Sequence, residues 1–275
     1  QVDKMKVPLG KSYRRNAIVI QFIILLLIPI AAFASEIKIS SFNVNFNNDK
    51  LKETFALIKI FDSDIILLQE STVRFEKGAK DHLPDSYKFS WFVEDEHESG
   101  GGFAVISKLP LAEKKYIEKS TGAFGAQIFR VKLGQARIHF VNIHLNPAPL
   151  PRPFNRASAL HAMMMNNRTQ VLEIRNILKQ CKESHPTAIA GDLNSFPGRP
   201  AYRQLSSRGF TDPHLSYDAN ATSVSTWKMI VDRAPLQGRF DYVFHSKSFE
   251  TRKLAVEEND YSDHALLNCT LKLNE

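Results

Sequence analysis

The chain has 275 residues, 43% of them hydrophobic and 24% charged. That length supplies enough apolar material for one large core or two small ones, and the composition excludes collagen-like, low-complexity and disordered classes. Net charge is +7, from 36 basic and 29 acidic residues, but residues 1–34 hold five basic residues and one acid. The remaining 31 and 28 leave +3, too little to argue for a polyanionic partner from charge alone.

Residues 1–34 read as an export signal. Lys6, Lys11, Arg14 and Arg15 form a basic start, Ala17–Ala34 is almost wholly apolar, and Ala32-Phe33-Ala34 is a small-x-small cleavage pattern. An uncleaved anchor is the alternative, although the apolar run is short for a span and contains Pro29. Either way residues 35–275 are expected in a secreted, periplasmic or other extracytoplasmic space. Outside the cytoplasm Cys181 and Cys269 can form a disulfide or remain two buried thiols, and both readings stay open.

After the signal, period-two or continuous apolar runs predict strands over Glu36–Asn45, Asp64–Gln69, Phe103–Ser107, Ala126–Leu133, Ala136–His144, Thr187–Ala190, Phe240–His245 and Ala265–Leu273. Helical periodicity marks Lys50–Phe61, Asn166–Lys182 and Pro200–Arg208. Gly100–Gly102 reads as a flexible turn. The proline-rich stretch Pro147–Met165, with Arg152, Arg156, Phe154 and Met163–Met165, reads mostly as a loop. Many strands with a few helices outside them predict an α/β sandwich of two sheets in one domain.

Polar side chains recur where these strands end: Asn43, Glu70, His144, Asp192, Asn194, Asp241, Asp263 and His264. Each alone is an ordinary strand end, Asx turn or cap. Together, hard oxygen donors suit Mg²⁺, with Mn²⁺ or Ca²⁺ as alternatives. Histidines beside them suit a phosphoryl oxygen.

In chain order, Phe42-Asn43-Val44-Asn45, Leu68-Gln69-Glu70, Gly102-Phe-Ala-Val-Ile-Ser-Lys108, Asn142-Ile-His144-Leu145, Gly191-Asp-Leu-Asn-Ser195, Phe240-Asp241-Tyr242 and Ser262-Asp263-His264 resemble the endonuclease/exonuclease/phosphatase superfamily, the DNase I-like proteins. The resemblance covers residues 36 to 273. It implies a four-layer α/β/β/α sandwich of two mixed sheets and a metal-dependent phosphoric ester hydrolase. It implies Glu70, Asn43 and Asp263 at a metal, and Asp192 with Asn194 handling the attacking water. His264 backed by Asp241 would contact the phosphate, with His144 near the leaving group. Arg152, Arg156, Trp227 and Arg239 are candidate substrate contacts. The substrate is a phosphate ester, in nucleic acid or in a phospholipid or polyprenyl head group, taken by a monomer. If His264 acts protonated, activity falls as pH rises through its pKa, and a rate flat from about pH 6 to 9 would argue against that role.

Overall fold

Alternation along the strands decides which side chains face the middle of the molecule. The computed structural model describes residues 36–94, 100–119, 122–150, 153, 155–181, 185–217 and 224–274. They lie in the larger of two contact units, Ala34–Glu275; the expected export signal falls outside the described residues. Thirteen strands are described: β1 (Glu36–Asn43), β2 (Ile65–Gln69), β3 (Phe89–Val93), β4 (Phe103–Ser107), β5 (Ala112–Ile117), β6 (Ala126–Leu133), β7 (Ala136–His144), β8 (Thr187–Asp192), β9 (Trp227–Val231), β10 (Ala234–Gly238), β11 (Asp241–His245), β12 (Phe249–Glu257) and β13 (Leu266–Leu273). The helices are α1 (Leu51–Phe61), α2 (Val73–His82), α3 (Arg156–Met165), α4 (Arg168–Leu178), α5 (Pro200–Ser206) and α6 (Pro213–Tyr217).

One sheet runs β12-β13-β1-β2-β4-β3 and the other β11-β8-β7-β6-β5, with β9-β10 a separate hairpin. Each large sheet is mixed, because β1 pairs parallel with β2 and β7 parallel with β8, while the other pairs are antiparallel. The sheets share a buried core of Ile37, Ile39, Ile65, Leu67 and Val105 against Phe129, Ile138, Phe140, Ala188, Ala190 and Val243. On the outer faces, Phe42, Ile66 and Leu68 pack with Phe55 and Ile58 of α1 and Phe75 of α2. Val141 and Ile189 pack with Ile174 and Ile177 of α4 and Leu205 of α5. This is the expected four-layer sandwich.

All eight expected strands and three expected helices are present, within a few residues at their ends. The stretch taken as a loop is a correction. Arg156–Met165 is the helix α3, started by a capping box in which the Asn155 side chain accepts from Ser158 N while Ser158 Oγ accepts from Asn155 N. The run of prolines upstream masked that signal. The β9–β10 hairpin also has no sequence cue, since its turn places Asp232 and Arg233, neither Gly nor Asn, at φ 51° and 62°. Cys181 and Cys269 are free thiols, and burial pushes them up to about 11 and 12.

Candidate active site at one rim of the sandwich

Following each central strand along its inward face, the side chains turn from apolar to polar in one direction. β1 reads Ile37, Ile39, Ser41, Asn43; β2 reads Ile65, Leu67, Gln69; β7 reads Ile138, Phe140, Asn142, His144; β8 reads Ala188, Ala190, Asp192. β11 runs the opposite way and begins with Asp241, paired with Asp192. His144 pairs with the same Asp192 from the other side. The core therefore ends in a polar rim.

A layer of amides floors that rim. Gln69 Nε2 donates to Asn142 Oδ1 across the sheets (2.6 Å), and Asn142 Nδ2 donates to Gln127 Oε1 (3.0 Å) and to Leu68 O (3.0 Å). Above it, Asn43 Nδ2 donates to Glu70 Oε1 (3.0 Å) and to Asp192 Oδ2 (3.2 Å). Asn43 Oδ1 accepts from Asn45 N, so Asn43 bridges two carboxylates and turns its own acceptor away from them. Asn194 N donates to Asp192 Oδ1 (2.7 Å) and Asn194 Nδ2 to Asp192 Oδ2 (3.3 Å).

His264 Nδ1 lies 2.9 Å from Asp241 Oδ2, and its Nε2 points at Asp192 Oδ2, 3.7 Å away. Burial alone would push His264 down, but the Asp241 and Asp192 carboxylates raise it to about 10, so it stands as an imidazolium. Asp192 is raised by burial, with the His264 charge pulling it back. His144 is the opposite case. Its Nδ1 faces the Gly100 carbonyl (3.2 Å), which can only accept, so Nδ1 carries the proton. Burial and then the His264 charge push it to about 3. A neutral His144 turns the lone pair of Nε2 toward Asp192 Oδ2 (3.6 Å) and Glu70 Oε1 (3.9 Å), with Phe124 stacked on its ring at 4.0 Å.

Two glycines set this spacing. A Cβ on Gly191, at φ 141°, would meet Ile143 O at 1.9 Å, so only glycine lets β8 lie that close to β7 just before Asp192. A Cβ on Gly102 would meet Ser71 O at 1.9 Å, and Ser71 N donates to Gly102 O (3.1 Å). Gly102 is thus a close-packed support for the residue after Glu70, which corrects its reading as part of a flexible turn. Glu70 itself sits at φ 58° and Asn194 at φ 48°, left-handed backbone that persists where surrounding contacts over-determine it.

The donors fit a hard divalent cation. Glu70 Oε1 and Asp192 Oδ2, which share the Asn43 amide as donor, converge with His144 Nε2, which lies within 3.9 Å of both. Burial raises Glu70, and the nearby Asp263 charge raises it further against its bonds from Asn43 and Phe46 N. A cation relieves that crowding. Among the described residues, Asp192, Asp241 and His264 offer ligand atoms within 4.8 Å of one another. There, however, Asp241 and His264 already bond each other and His264 is cationic. The Glu70 carboxylate, 17% exposed, with half-buried Asp263, is the better seat.

Asp263 is held by residues the sequence left unassigned or placed elsewhere. Its Oδ1 accepts from Asn45 Nδ2 (2.8 Å) and its Oδ2 from Trp227 Nε1 (3.0 Å). Trp227 is buried against Phe240, so it supports Asp263 and does not present an open face to substrate. Thr226 Oγ1 accepts from Phe240 N and Asp241 N, and Thr226 O accepts from Ala265 N, stitching the Asp241 and His264 segments together. Asn45 was legible as part of Asn43-Val44-Asn45, and Thr226 only as the neighbour of Trp227 before Arg239-Phe240-Asp241-Tyr242; Phe124 carried no signal.

Of the other substrate contacts, Arg152 lies outside the described residues. Arg156 is exposed but tied to the β9–β10 hairpin through Pro235 O and Asp232. Arg239 is a correction: it is buried, bonded to both oxygens of Asp212 at 3.1 and 2.7 Å, with its guanidinium over the Tyr242 ring. It anchors the strand that carries Asp241 and, at 3% exposure, presents no face to solvent.

The sequence model of the endonuclease/exonuclease/phosphatase family matches residues 40–264, which takes in every rim residue. The chain belongs to that family. Its members are metal-dependent phosphoesterases and nucleases. Solved structures agree on the fold. A family protein from Leptotrichia buccalis aligns at a TM-score of 0.65 with 17% identity, over 86% of this chain and 100% of that one. TDP2 of D. rerio, complexed with single-strand DNA product, aligns at 0.67 with 17% identity, over 86% and 99%. A family protein from Beutenbergia cavernae aligns at 0.60 with 18% identity, over 87% and 72%. The chain has no match among the curated proteins.

Proposed function

We propose that this chain is an exported, Mg²⁺-dependent phosphodiesterase of the endonuclease type. The observation that carries the reading is the geometry of a buried His264, bonded through Nδ1 to Asp241, with Asp192, held by Asn194, facing Nε2 of both His264 and His144. Phosphodiester hydrolysis needs a donor to the phosphoryl oxygen and an acceptor for the water proton, a few ångströms apart. His264 Nε2–H supplies the first and Asp192 the second. Asn194 fixes the direction of the Asp192 lone pairs, and Asn43 ties that carboxylate to Glu70. A divalent ion seated by Glu70 and Asp263, supported by Asn43 and Asn45, would neutralise charge on the phosphate and position its oxygens. His144, with Nε2 unprotonated, stands ready to take or relay a proton beside the leaving group.

The DNA bound to the D. rerio protein of the same fold supports a nucleic-acid substrate. A membrane-lipid phosphoesterase, acting on a sphingomyelin-like or polyprenyl-pyrophosphate-like head group, is favoured by one observation: α3 exposes Leu160, Met164 and Met165 to solvent. Export rests on the basic start, apolar run and Ala32-Phe33-Ala34, and a monomer is expected to suffice. Among the described residues no helix is long and apolar enough to cross a membrane.

The test is turnover of bis-p-nitrophenyl phosphate with Mg²⁺ and with EDTA. Plasmid DNA, RNA, sphingomyelin and polyprenyl pyrophosphate are then compared. Metal-dependent cleavage of the diester and nicking of plasmid are expected. Release of inorganic phosphate without nicking would sink the nuclease reading and leave the lipid one.

A further inference from the structure

Two buried polar side chains on α4 take no part in the chemistry above, yet both reach into it. Gln170 and Glu173 lie three residues apart, so they share one face of the helix. Gln170 is 1% exposed. Its Nε2 donates both hydrogens: one to Asn146 O (3.0 Å), after β7, and one to Asn194 O (2.8 Å), after β8. Glu173 Oε2 accepts from Asn146 N (3.0 Å). Asn146 is thereby gripped at both its N–H and its carbonyl, in the two successive peptide units that flank its Cα, with Asn166 Nδ2 also donating to the carbonyl (2.7 Å).

The gripped loops are those that carry His144, Asp192 and Asn194. Leu145 N donates to Asp192 O, and Asn194 Nδ2 donates to Leu145 O (3.0 Å) as well as to Asp192. Asn194 holds left-handed backbone, which needs such outside support to stay in place. The other carboxylate oxygen of Glu173, Oε1, is buried without a hydrogen-bond partner. It lies where a Cβ on Gly122 would come within 1.5 Å, two residues before the Phe124 ring that stacks on His144. Burying an amide and a carboxyl on a helix face costs free energy that plain packing residues would avoid. Here both are spent on backbone groups of catalytic loops.

We propose that Gln170 and Glu173 are positioning residues, a clamp from α4 that fixes the Asn146 and Asn194 peptides and so sets the orientation of Asp192. The inference rests on the reading of Asp192 and Asn194 as the water-handling pair. Gln170 acts through Asn194, whose backbone N–H and side chain both bind Asp192. Glu173 acts through Asn146, from whose N–H its Oε2 accepts.

The experiment compares Gln170→Met, which keeps the shape and removes the donors, with the wild-type chain. Hydrogen exchange in segments 144–147 and 192–195 is followed beside kcat, KM and the Mg²⁺ affinity. Exchange is expected to rise in those two segments and to stay unchanged in β1 and β13. kcat should fall about 10- to 100-fold, the usual effect of losing a residue that orients a site, with KM and Mg²⁺ affinity within about twofold. Glu173→Leu is expected to loosen segment 144–147 and lower kcat, while Glu173→Gln, which keeps an acceptor for Asn146 N, restores most of it. These two variants also decide the matter should Gln170→Met fail to fold. Unchanged exchange in both segments, or raised exchange with full kcat, would overturn the clamp. A wild-type protein without phosphodiester turnover would refute the proposed function instead, and exchange alone would still show whether the clamp exists.

Discussion

Asp241 and His264 approach to 2.9 Å between Oδ2 and Nδ1, beneath a histidine whose other nitrogen faces Asp192. The contact joins the start of β11 to the segment before β13, and it decides the charge state of the site. It also moves the pH window expected from an ordinary histidine. With His264 raised to about 10, the imidazolium is present through the neutral range and is lost only as pH rises toward that value.

The alkaline fall of the rate should therefore begin only beyond about pH 9, if the protonated form of His264 is the active one. Asp192, the proton acceptor, is raised by burial to about 8, so the rate should rise through that value and fall again near 10, a bell displaced from the limb an unperturbed histidine would give. In Asp241→Asn the alkaline limb should move toward the ordinary histidine pKa and the maximum drop by about 100-fold or more. Measured pH–rate profiles check both. A variant limb that coincides with the wild-type one would remove His264 from the role.

Metal binding has its own readout in Trp227. Its indole N–H bonds Asp263, and Trp91 is the other tryptophan of the chain. Titration with Mg²⁺ or Mn²⁺ should change the tryptophan emission, and Trp227→Phe should abolish that change. Glu70→Gln should weaken the apparent affinity by about 10- to 100-fold. A Glu70→Gln protein that titrates like the wild type would place the ion elsewhere, with Asp192, Asp241 and His264 as the next group to test.

Arg239 should behave as a structural residue. The Arg239–Asp212 pair is buried on both sides, so Arg239→Ala leaves an uncompensated carboxylate in the core and should cost about 3–5 kcal/mol in denaturant unfolding. Asp212 is at present held low: burial works to raise it, and His214 and Arg239 outweigh that. If Arg239→Ala unfolds like the wild type but shows a raised KM, the residue faces substrate after all.

How much was legible follows from which forces act locally. The inward faces of β1, β2, β7 and β8 could be read because period-two alternation and the switch from Ile, Leu and Ala to Asn, Gln, His and Asp are written in the chain. The two-sheet sandwich, and the rim residues as a set, follow from that pattern together with the ordered motifs. Helix α3 was hidden because prolines upstream and a weakly amphipathic sequence outweighed a two-residue capping signal.

What the tertiary structure alone decided is which polar groups meet. Arg239 and Trp227 look like surface contacts in sequence, yet strand pairing turns one onto Asp212 and the other onto Asp263. The grip of Gln170 on loops 24 residues away in either direction is likewise invisible to local pattern. Sequence determines the face a side chain takes, because that depends on backbone periodicity. Its partner, and with it the charge of His264 or the neutrality of His144, depends on strands far apart in the chain being packed into one low-dielectric rim, where each carboxylate shifts its neighbours.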